Sequence, residues 1–365
     1  MSLFDVKQNP AICVLPWVHE YKTIRGKTAP CCQGDVLEHD ESLQSIREQM
    51  LKGHKPRACN KCFIKEQESS YSPRIQETVE WLKKYGEPDI ENPILQFIDI
   101  RYDATCNLKC KTCGPGSSTL WQKEKNIKLP MNASNMNYLE SVDKHQLKKV
   151  YLAGGEPTYI KGYLQFLDQL YDINPRCEVI INTNLKNLPD SWKTIIKKFE
   201  NLTIVCSCDA IGVLGTYVRY PLQWKQFEDN VKFASEEANF FQFNLVASNL
   251  TSHRLFETCS WMQKYSKNIN ISILDNPSCF SEKAVPHADR NPYIENIKKL
   301  QKFPVSVHYA LNFRNKIQYL LDKYHDAVYD ESLHRTLRQE ITEQDSHRTI
   351  RLQAVDPFLR DWIYR

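Results

Sequence analysis

Between about residues 94 and 274 the chain alternates short apolar runs with longer stretches whose apolar positions recur every three or four residues. Six runs have strand character: Ile94–Ile100, Lys149–Leu152, Glu178–Asn182, Leu202–Cys206, Phe241–Ala247 and Ile269–Leu274. Amphipathic helix candidates lie between them, at Tyr138–Lys148, Gly162–Tyr171, Asp190–Phe199, Trp224–Glu236 and His253–Tyr265. Strands separated by helices predict an α/β protein with a parallel sheet. Residues 291–365 read as helices, including Asn291–Lys302, Val307–Tyr324 and Ser332–Asp345. Ahead of the alternating region, Phe63–Gly86 reads as an exposed polar helix that Pro73 splits and that ends near Gly86-Glu87-Pro88. Residues 1–62 are rich in cysteine and show little helical periodicity. No repeat or low-complexity segment is visible.

The 365 residues allow one large domain and one or two small ones. A net charge of +4 is too small to point to nucleic acid, and no concentrated basic tract is present. No run approaches the roughly 18 apolar residues of a membrane span. The segment from Met1 to Lys7 lacks the long apolar core of a secretory signal. Thirteen cysteines in a chain without that signal predict a reducing, cytoplasmic setting and metal binding rather than disulfides.

Three of those cysteines, Cys106, Cys110 and Cys113, are spaced C-x3-C-x2-C directly after the first strand candidate, in the segment from Arg101 and Tyr102 to Cys113. Three thiolates on a tight loop can hold three irons of a [4Fe–4S] cube and leave the fourth open to a ligand. About forty residues on, the second strand candidate ends in Gly154-Gly155-Glu156-Pro157. Two glycines permit close backbone approach, and the glutamate can accept from an ammonium group. Taken singly, the first motif also fits a zinc loop and the second an ordinary turn.

Together, in this order and each at a strand end, the motifs resemble the radical S-adenosylmethionine (radical SAM) superfamily. The resemblance implies that Cys106, Cys110 and Cys113 hold a catalytic [4Fe–4S] cluster and that Gly154, Gly155, Glu156 and Pro157 bind the amino end of S-adenosylmethionine. It implies reductive cleavage of that cofactor to methionine and a 5′-deoxyadenosyl radical, which abstracts hydrogen from a substrate. It also implies a partial (β/α)6 TIM-type barrel with ligands at the C-terminal strand ends. Asn182 and Asn184 end the third strand, and Ser207 and Asp209 end the fourth at the family's ribose-contacting position. An N-cap or Asx turn is the alternative for those two. Arg219 resembles an arginine that pairs with the cofactor carboxylate, and a surface arginine is the other reading. Asn244, in the fifth strand, and Asn249, just after it, are pocket candidates or structural asparagines. Thr112 stands where the family often has a bulky apolar residue near adenine, so this position does not carry that contact over.

A second cysteine group precedes the alternating region: Cys13, Cys31, Cys32, and Cys59-x2-Cys62, with Gly26 five residues before Cys31. Four thiolates close a metal site. The spacing resembles the twitch and SPASM modules of radical SAM enzymes, which implies an auxiliary [4Fe–4S] cluster on Cys13, Cys31, Cys59 and Cys62. In the better-known members the module follows the barrel, and here it precedes it. The Leu15-Pro16-Trp17 and Cys31-Cys32 elements and the run Glu66 to Arg74 fit this early placement. A zinc site on the same cysteines is the alternative, Cys32 is the spare thiol, and His19 reads as a surface or hydrogen-bonded histidine before it reads as an alternative ligand. Cys177, Cys206, Cys208, Cys259 and Cys279 read as small buried hydrophobes, with Cys208 and Cys279 the candidates for donating a hydrogen atom to a substrate radical.

The domains expected are 1–92, the auxiliary-cluster module and linker helix; 93–280, the partial barrel; and 281–365, a helical region of open role. The expected function is a radical SAM enzyme acting on a peptide or protein side chain. A small-molecule radical dehydrogenase for an alcohol or amino sugar, and a non-enzymatic iron–sulfur binding protein, stand as alternatives. A low-potential donor such as a flavodoxin or ferredoxin is the implied partner, with no membrane and no nucleic acid.

Overall fold

The computed structural model describes residues 2–68, 72–101, 103–129 and 134–365. Tyr102 and the junction within the expected helix 63–86 lie outside them. Eight strands are present: β1 (His19–Lys22), β2 (Thr28–Ala29), β3 (Phe97–Arg101), β4 (Lys149–Ala153), β5 (Glu178–Thr183), β6 (Leu202–Ser207), β7 (Phe240–Ala247) and β8 (Ile269–Ile273). They form one sheet in the order β2-β1-β3-β4-β5-β6-β7-β8. β1 pairs antiparallel with β2, whereas β1–β3, β3–β4, β6–β7 and β7–β8 are parallel. The sheet is thus mostly parallel and the protein α/β. The six expected strands are all present, with one end of each shifted by a single residue and the first strand starting three residues later. Among the described residues no helix is long and apolar enough to cross a membrane.

The chain divides into two compact units. The first contains residues 1–104, 130–180 and 199–201. Its N-terminal part is less irregular than its sequence suggests. Helix Leu43–Leu51 buries only Ile46 and Met50, one turn apart, and its start is set by a capping box between Ser42 and Ser45. The polar strand β1 is held by its register on β3, with Tyr21 opposite Asp99. Phe4, Trp17, Val18, Met50, Trp81 and Phe97 form the core beneath it. The expected helix 63–86 is two helices, Asn60–Glu68 and Pro73–Tyr85, and the second begins at the proline with Ser72 as its N-cap. The expected helix Tyr138–Lys148 is instead Ser134–Ser141, because Asp143 Oδ1 takes the His145 N–H at 3.0 Å and turns the chain.

The second unit contains residues 105–129, 181–198 and 202–365. Strand β7 alternates strictly, with Phe241, Phe243, Leu245 and Ala247 buried on one face. Its other face carries Gln242 and Asn244, and the neighbouring strands add polar residues beside them. Ser207 Oγ bonds Asn182 Oδ1 at 3.1 Å, and Asn244 Oδ1 accepts from Asn270 at 2.9 Å and Ser272 at 3.4 Å. The C-terminal region is helical as expected, with helices Asn291–Lys298, Val307–Asp326, Glu331–Ser346 and Pro357–Ile363.

Candidate functional site

In the first unit, Cys13, Cys31, Cys59 and Cys62 line one pocket together with Pro30, Gln33 and Arg74. Cys13 precedes the one-turn helix Leu15–Val18 that leads into β1. The β1–β2 turn closes through the Gly26 N–H on Thr23 O at 2.8 Å, with Gly26 at φ +70°, and returns the chain to Cys31. Asp35 N then bonds Ala58 O at 2.8 Å, which stitches this segment to the one bearing Cys59. Cys62 lies on helix Asn60–Glu68.

Arg74 joins these parts. Its buried guanidinium bonds both carboxylate oxygens of Glu66, through Nε at 2.9 Å and Nη2 at 2.7 Å, and donates through Nη1 to Ile12 O. Burial pushes the Cys13 and Cys59 thiols up to about 12, neighbouring thiols add to the rise, and the Arg74 charge opposes it. Cys31 is raised well above the ordinary thiol range by burial, then by Cys32 and Cys13. The four thiols therefore resist ionising together unless a cation joins them, as in a metal site.

Cys32 is exposed, its charged neighbours are Asp99 and Arg101, and it does not line this pocket. His19 is buried with Nδ1 at 3.2 Å from Pro30 O and its ring centroid 4.3 Å from that of Phe97. Burial holds its imidazole neutral, with the pKa lowered to about 3, and it too lies outside the pocket lining.

Also in the first unit, β4 runs into Gly154-Gly155-Glu156-Pro157. Gly154 has φ +84°, and a Cβ there would meet Arg101 Cα at 3.0 Å and Asp103 O at 3.2 Å. Glu156 is buried and caps the turn Pro157–Tyr159, accepting from Thr158 N at 3.1 Å and Thr158 Oγ1 at 2.7 Å.

In the second unit, the loop bearing Cys106, Cys110 and Cys113 has no regular structure and is fastened from several sides. Lys109 N and Lys111 N donate to Tyr220 O and Val218 O, each at 2.7 Å. Ser118 Oγ holds Leu108 O at 2.6 Å, and the Trp121 indole N–H holds Cys110 O at 2.9 Å. All three thiols are half-buried. Burial pushes Cys110 up to about 12, the Arg219 charge opposes this, and Cys113 and Cys106 add to it. The docking on residues 218–220 brings Arg219 to Cys110.

Arg219 is buried and bonds Asp209 Oδ2 through Nη1 at 2.7 Å, and Asp209 Oδ1 accepts from Val246 N at 3.0 Å. The residues expected at a ribose and at a carboxylate thus pair with each other. Arg219 Nε is buried with no hydrogen-bond partner among the described residues. Asn184 Nδ2 bonds Asn107 Oδ1 at 2.9 Å and lies 3.9 Å from Cys106 Sγ, and Lys186 Nζ bonds Asn107 O at 3.0 Å. Asn249 bridges Cys279 O and Ser281 O, each at 2.9 Å, and is a structural asparagine. Cys177, Cys206, Cys208, Cys259 and Cys279 are buried.

Sequence reasoning missed Asn107, Lys111 and Lys186. Polar residues between cysteines read as solvated loop, and only the fold shows them engaged. Among the described residues no three His, Cys, Asp or Glu side chains are grouped as one metal ion requires. The loop's donor chemistry nevertheless fits an iron–sulfur cluster with an anionic ligand: three thiols, a buried cation beside them, and an unused N–H on that cation.

No protein-family model matches the chain. A stretch of 96 residues is 26% identical to the GTP 3′,8-cyclase of Helicobacter pylori strain ATCC 700392 / 26695, covering 26% of this chain and 29% of that protein. The enzyme of the same name from strain HPAG1 is 25% identical over 96 residues, again 29% of its length. The match therefore spans under a third of these curated relatives. Among solved structures, the chain is similar to histidine-tagged anSMEcpe with bound AdoMet at 17% identity, covering 61% of this chain and 60% of that one, with a TM-score of 0.43. It is also similar to Streptococcus suis SuiB bound to S-adenosylmethionine at 16% identity, covering 85% and 70%, with a TM-score of 0.40.

Proposed function

We propose that the protein is a radical SAM enzyme that abstracts hydrogen from a peptide or protein side chain. The observation that carries this reading is the succession of Cys106, Cys110 and Cys113 after β3 and Gly154-Gly155-Glu156-Pro157 after β4, its parallel neighbour. In this reading the three thiolates hold a [4Fe–4S] cluster, which when bound supplies the electron that cleaves S-adenosylmethionine. In the second unit Asn182, Asn184, Ser207 and Asp209 contact the cofactor, and Arg219 offers its unused Nε–H to an anionic ligand. Cys13, Cys31, Cys59 and Cys62 hold a second, auxiliary cluster, with Arg74 keeping the thiolates ionisable. The eight strands are then a partial (β/α)6 barrel, β3 to β8, extended by the β1–β2 hairpin of a twitch-like module. On this reading residues 1–92, 93–280 and 281–365 are the module, the barrel and the helical extension.

The cysteine spacing 13–62, like that of twitch and SPASM modules, supports a peptide substrate. The similarity to GTP 3′,8-cyclase, named for a nucleotide substrate, favours a small molecule as the second reading. The test is anaerobic reconstitution followed by iron, sulfide and zinc analysis. Reduction in the presence of S-adenosylmethionine, by dithionite or a flavodoxin, then tests turnover. About eight irons with matching sulfide, and 5′-deoxyadenosine lost in Cys106→Ala, support the proposal. Iron-free protein, or nucleoside formed equally by Cys106→Ala, overturns it. About four irons and one zinc would retain the enzyme and replace the auxiliary cluster with a zinc site.

A further inference from the structure

We propose that Asp345, near the end of helix Glu331–Ser346, is a positioning residue for the cysteine loop, acting through Lys111. The C-terminal helical region would then set the geometry in which Cys106, Cys110 and Cys113 present their thiolates. This rests on the assignment of those three cysteines as cluster ligands.

Lys111 stands between Cys110 and Cys113, and its side chain is fully buried. Its backbone N–H is fixed on Val218 O at 2.7 Å, and its ammonium pairs with Asp345. The same ammonium lies 4.2 Å from the centre of the Tyr217 ring. Asp345 gathers further donors: the Tyr217 hydroxyl at 3.0 Å to Oδ1 and Leu352 N at 2.7 Å to Oδ2. The carboxylate is therefore a hub at which the helix end, the following segment and the cysteine loop meet, and its partner in the loop is 234 residues away in sequence.

Three residues on, Arg348 does the same for the neighbouring part of the loop. Its side chain is fully buried, with its guanidinium 4.9 Å from the Trp121 ring and 5.5 Å from the Tyr220 ring. It bonds Glu124 at 3.3 Å, and Glu124 also pairs with Lys109. Trp121 in turn holds Cys110 O, and Tyr220 O holds Lys109 N. Both charged residues flanking Cys110, Lys109 and Lys111, are thus tied to the C-terminal region, one through Glu124 and Arg348 and the other through Asp345.

Simple core filling does not explain this arrangement. Burying an ion pair contributes little net stability compared with apolar residues of the same volume, whereas removing one partner is severe. What a buried pair does provide is a single register, because a shifted loop strands a charge away from water. A loop without helix or strand hydrogen bonds depends on such fixed points. Three thiolates that must meet the corners of one cluster tolerate little displacement.

The full chain, reconstituted anaerobically, tests the proposal in three variants: Asp345→Asn, Tyr217→Phe and the paired Lys111→Met/Asp345→Leu. The readouts are the rate of iron loss to a chelator and the EPR spectrum of the reduced protein with and without S-adenosylmethionine. Thermal melting by circular dichroism reports global stability. Asp345→Asn should release the loop's iron about tenfold faster and alter the spectrum seen with the cofactor, because Lys111 loses its counter-charge. Tyr217→Phe removes one hydroxyl and should shift both readouts in the same direction by about threefold or less. The paired apolar variant should recover most of the wild-type retention.

A lower melting temperature with an unchanged spectrum and unchanged iron loss would overturn the positioning role and leave a purely structural one. If Asp345→Asn does not fold, Tyr217→Phe decides by the same readouts. Wild-type iron content and spectrum in Cys106→Ala would instead refute the cluster assignment, independently of Asp345.

Discussion

Gly154→Ala isolates how tightly the end of β4 is packed against the end of β3. Two effects act there. The φ of +84° is strained for any residue with a Cβ, at about 1–3 kcal/mol. The new methyl would also meet Arg101 Cα at 3.0 Å, Arg101 C at 3.2 Å and Asp103 O at 3.2 Å. These are backbone atoms at a strand end, which cannot rotate away, so overpacking adds about 1–3 kcal/mol. Alanine's smaller unfolded-state entropy offsets about 0.4–1 kcal/mol. The expected net loss is about 1–5.5 kcal/mol. Gly53→Ala is the control for strain alone, with φ +77° and nothing within 4 Å, and the same strain less the same entropy offset should cost about 0–2.5 kcal/mol. Gly116→Ala, with no left-handed φ and open space, should be neutral or slightly stabilising. Urea unfolding of the three metal-free, reduced variants gives the ordering. Equal losses for Gly154→Ala and Gly53→Ala would show that the β3 end yields freely, and the close-approach argument would fail.

Arg74→Met leaves Glu66 with only the Ser72 hydroxyl and Ile12 O without a donor among the described residues, so it should cost about 3–5 kcal/mol in urea unfolding and weaken metal retention at the four-thiol pocket. A loss below about 1 kcal/mol, with metal content intact, would remove Arg74 from that role. His19 has a folded pKa near 3 against 6.5 in the unfolded chain, so the unfolded state takes up the extra proton first as pH falls. The stability present above pH 6.5 should therefore decline below it, by about 2 kcal/mol at pH 5. Unfolding series from pH 7 to 5 should show this decline flattened in His19→Gln, and an unchanged slope would assign it to other groups. Cys31→Ser should empty the N-terminal metal site while Cys32→Ser leaves its metal content as in wild type, since only Cys31 lines the pocket. Equal loss in both would return Cys32 to the ligand set.

The parts of this fold legible in sequence are those whose burial repeats locally. β7 reads as a strand because its side chains alternate over eight residues, and helix Trp224–Glu237 because Phe227, Val231 and Ala234 fall on one face. β1 is illegible because His19-Glu20-Tyr21-Lys22 has no apolar run, and its strand character comes from pairing with β3 and β2. The cysteine spacings mark the thiols of both candidate sites, since metal chemistry needs several donors of one type close together. They say nothing of Arg74, or of the Arg219–Asp209 pairing, because neither has a spacing rule. Asp345 is the extreme case. As an acidic residue at the end of a polar helix it reads as solvated surface, and only its contact with Lys111 shows otherwise.

The two thiol groups each have a buried arginine held by a carboxylate, yet the arginines are used differently. Arg74 spends Nε, Nη1 and Nη2 on Glu66 and Ile12 O, so it is part of the frame around four thiols. Arg219 spends one nitrogen on Asp209 and leaves Nε buried without a partner among the described residues, beside only three thiols on one loop. An unmatched buried donor is expensive unless something arrives to accept from it. That difference parallels a site closed by its own thiolates and a site that takes a further, anionic ligand. Arg219→Met should therefore weaken the effect of S-adenosylmethionine on the reduced protein's EPR spectrum by about tenfold or more in half-saturating concentration, with loop iron retained. Arg74→Met should leave that titration unchanged. If Arg219→Met instead loses the iron and shows no selective effect on the titration, its charge serves the thiolates alone, and the anionic ligand must be held elsewhere.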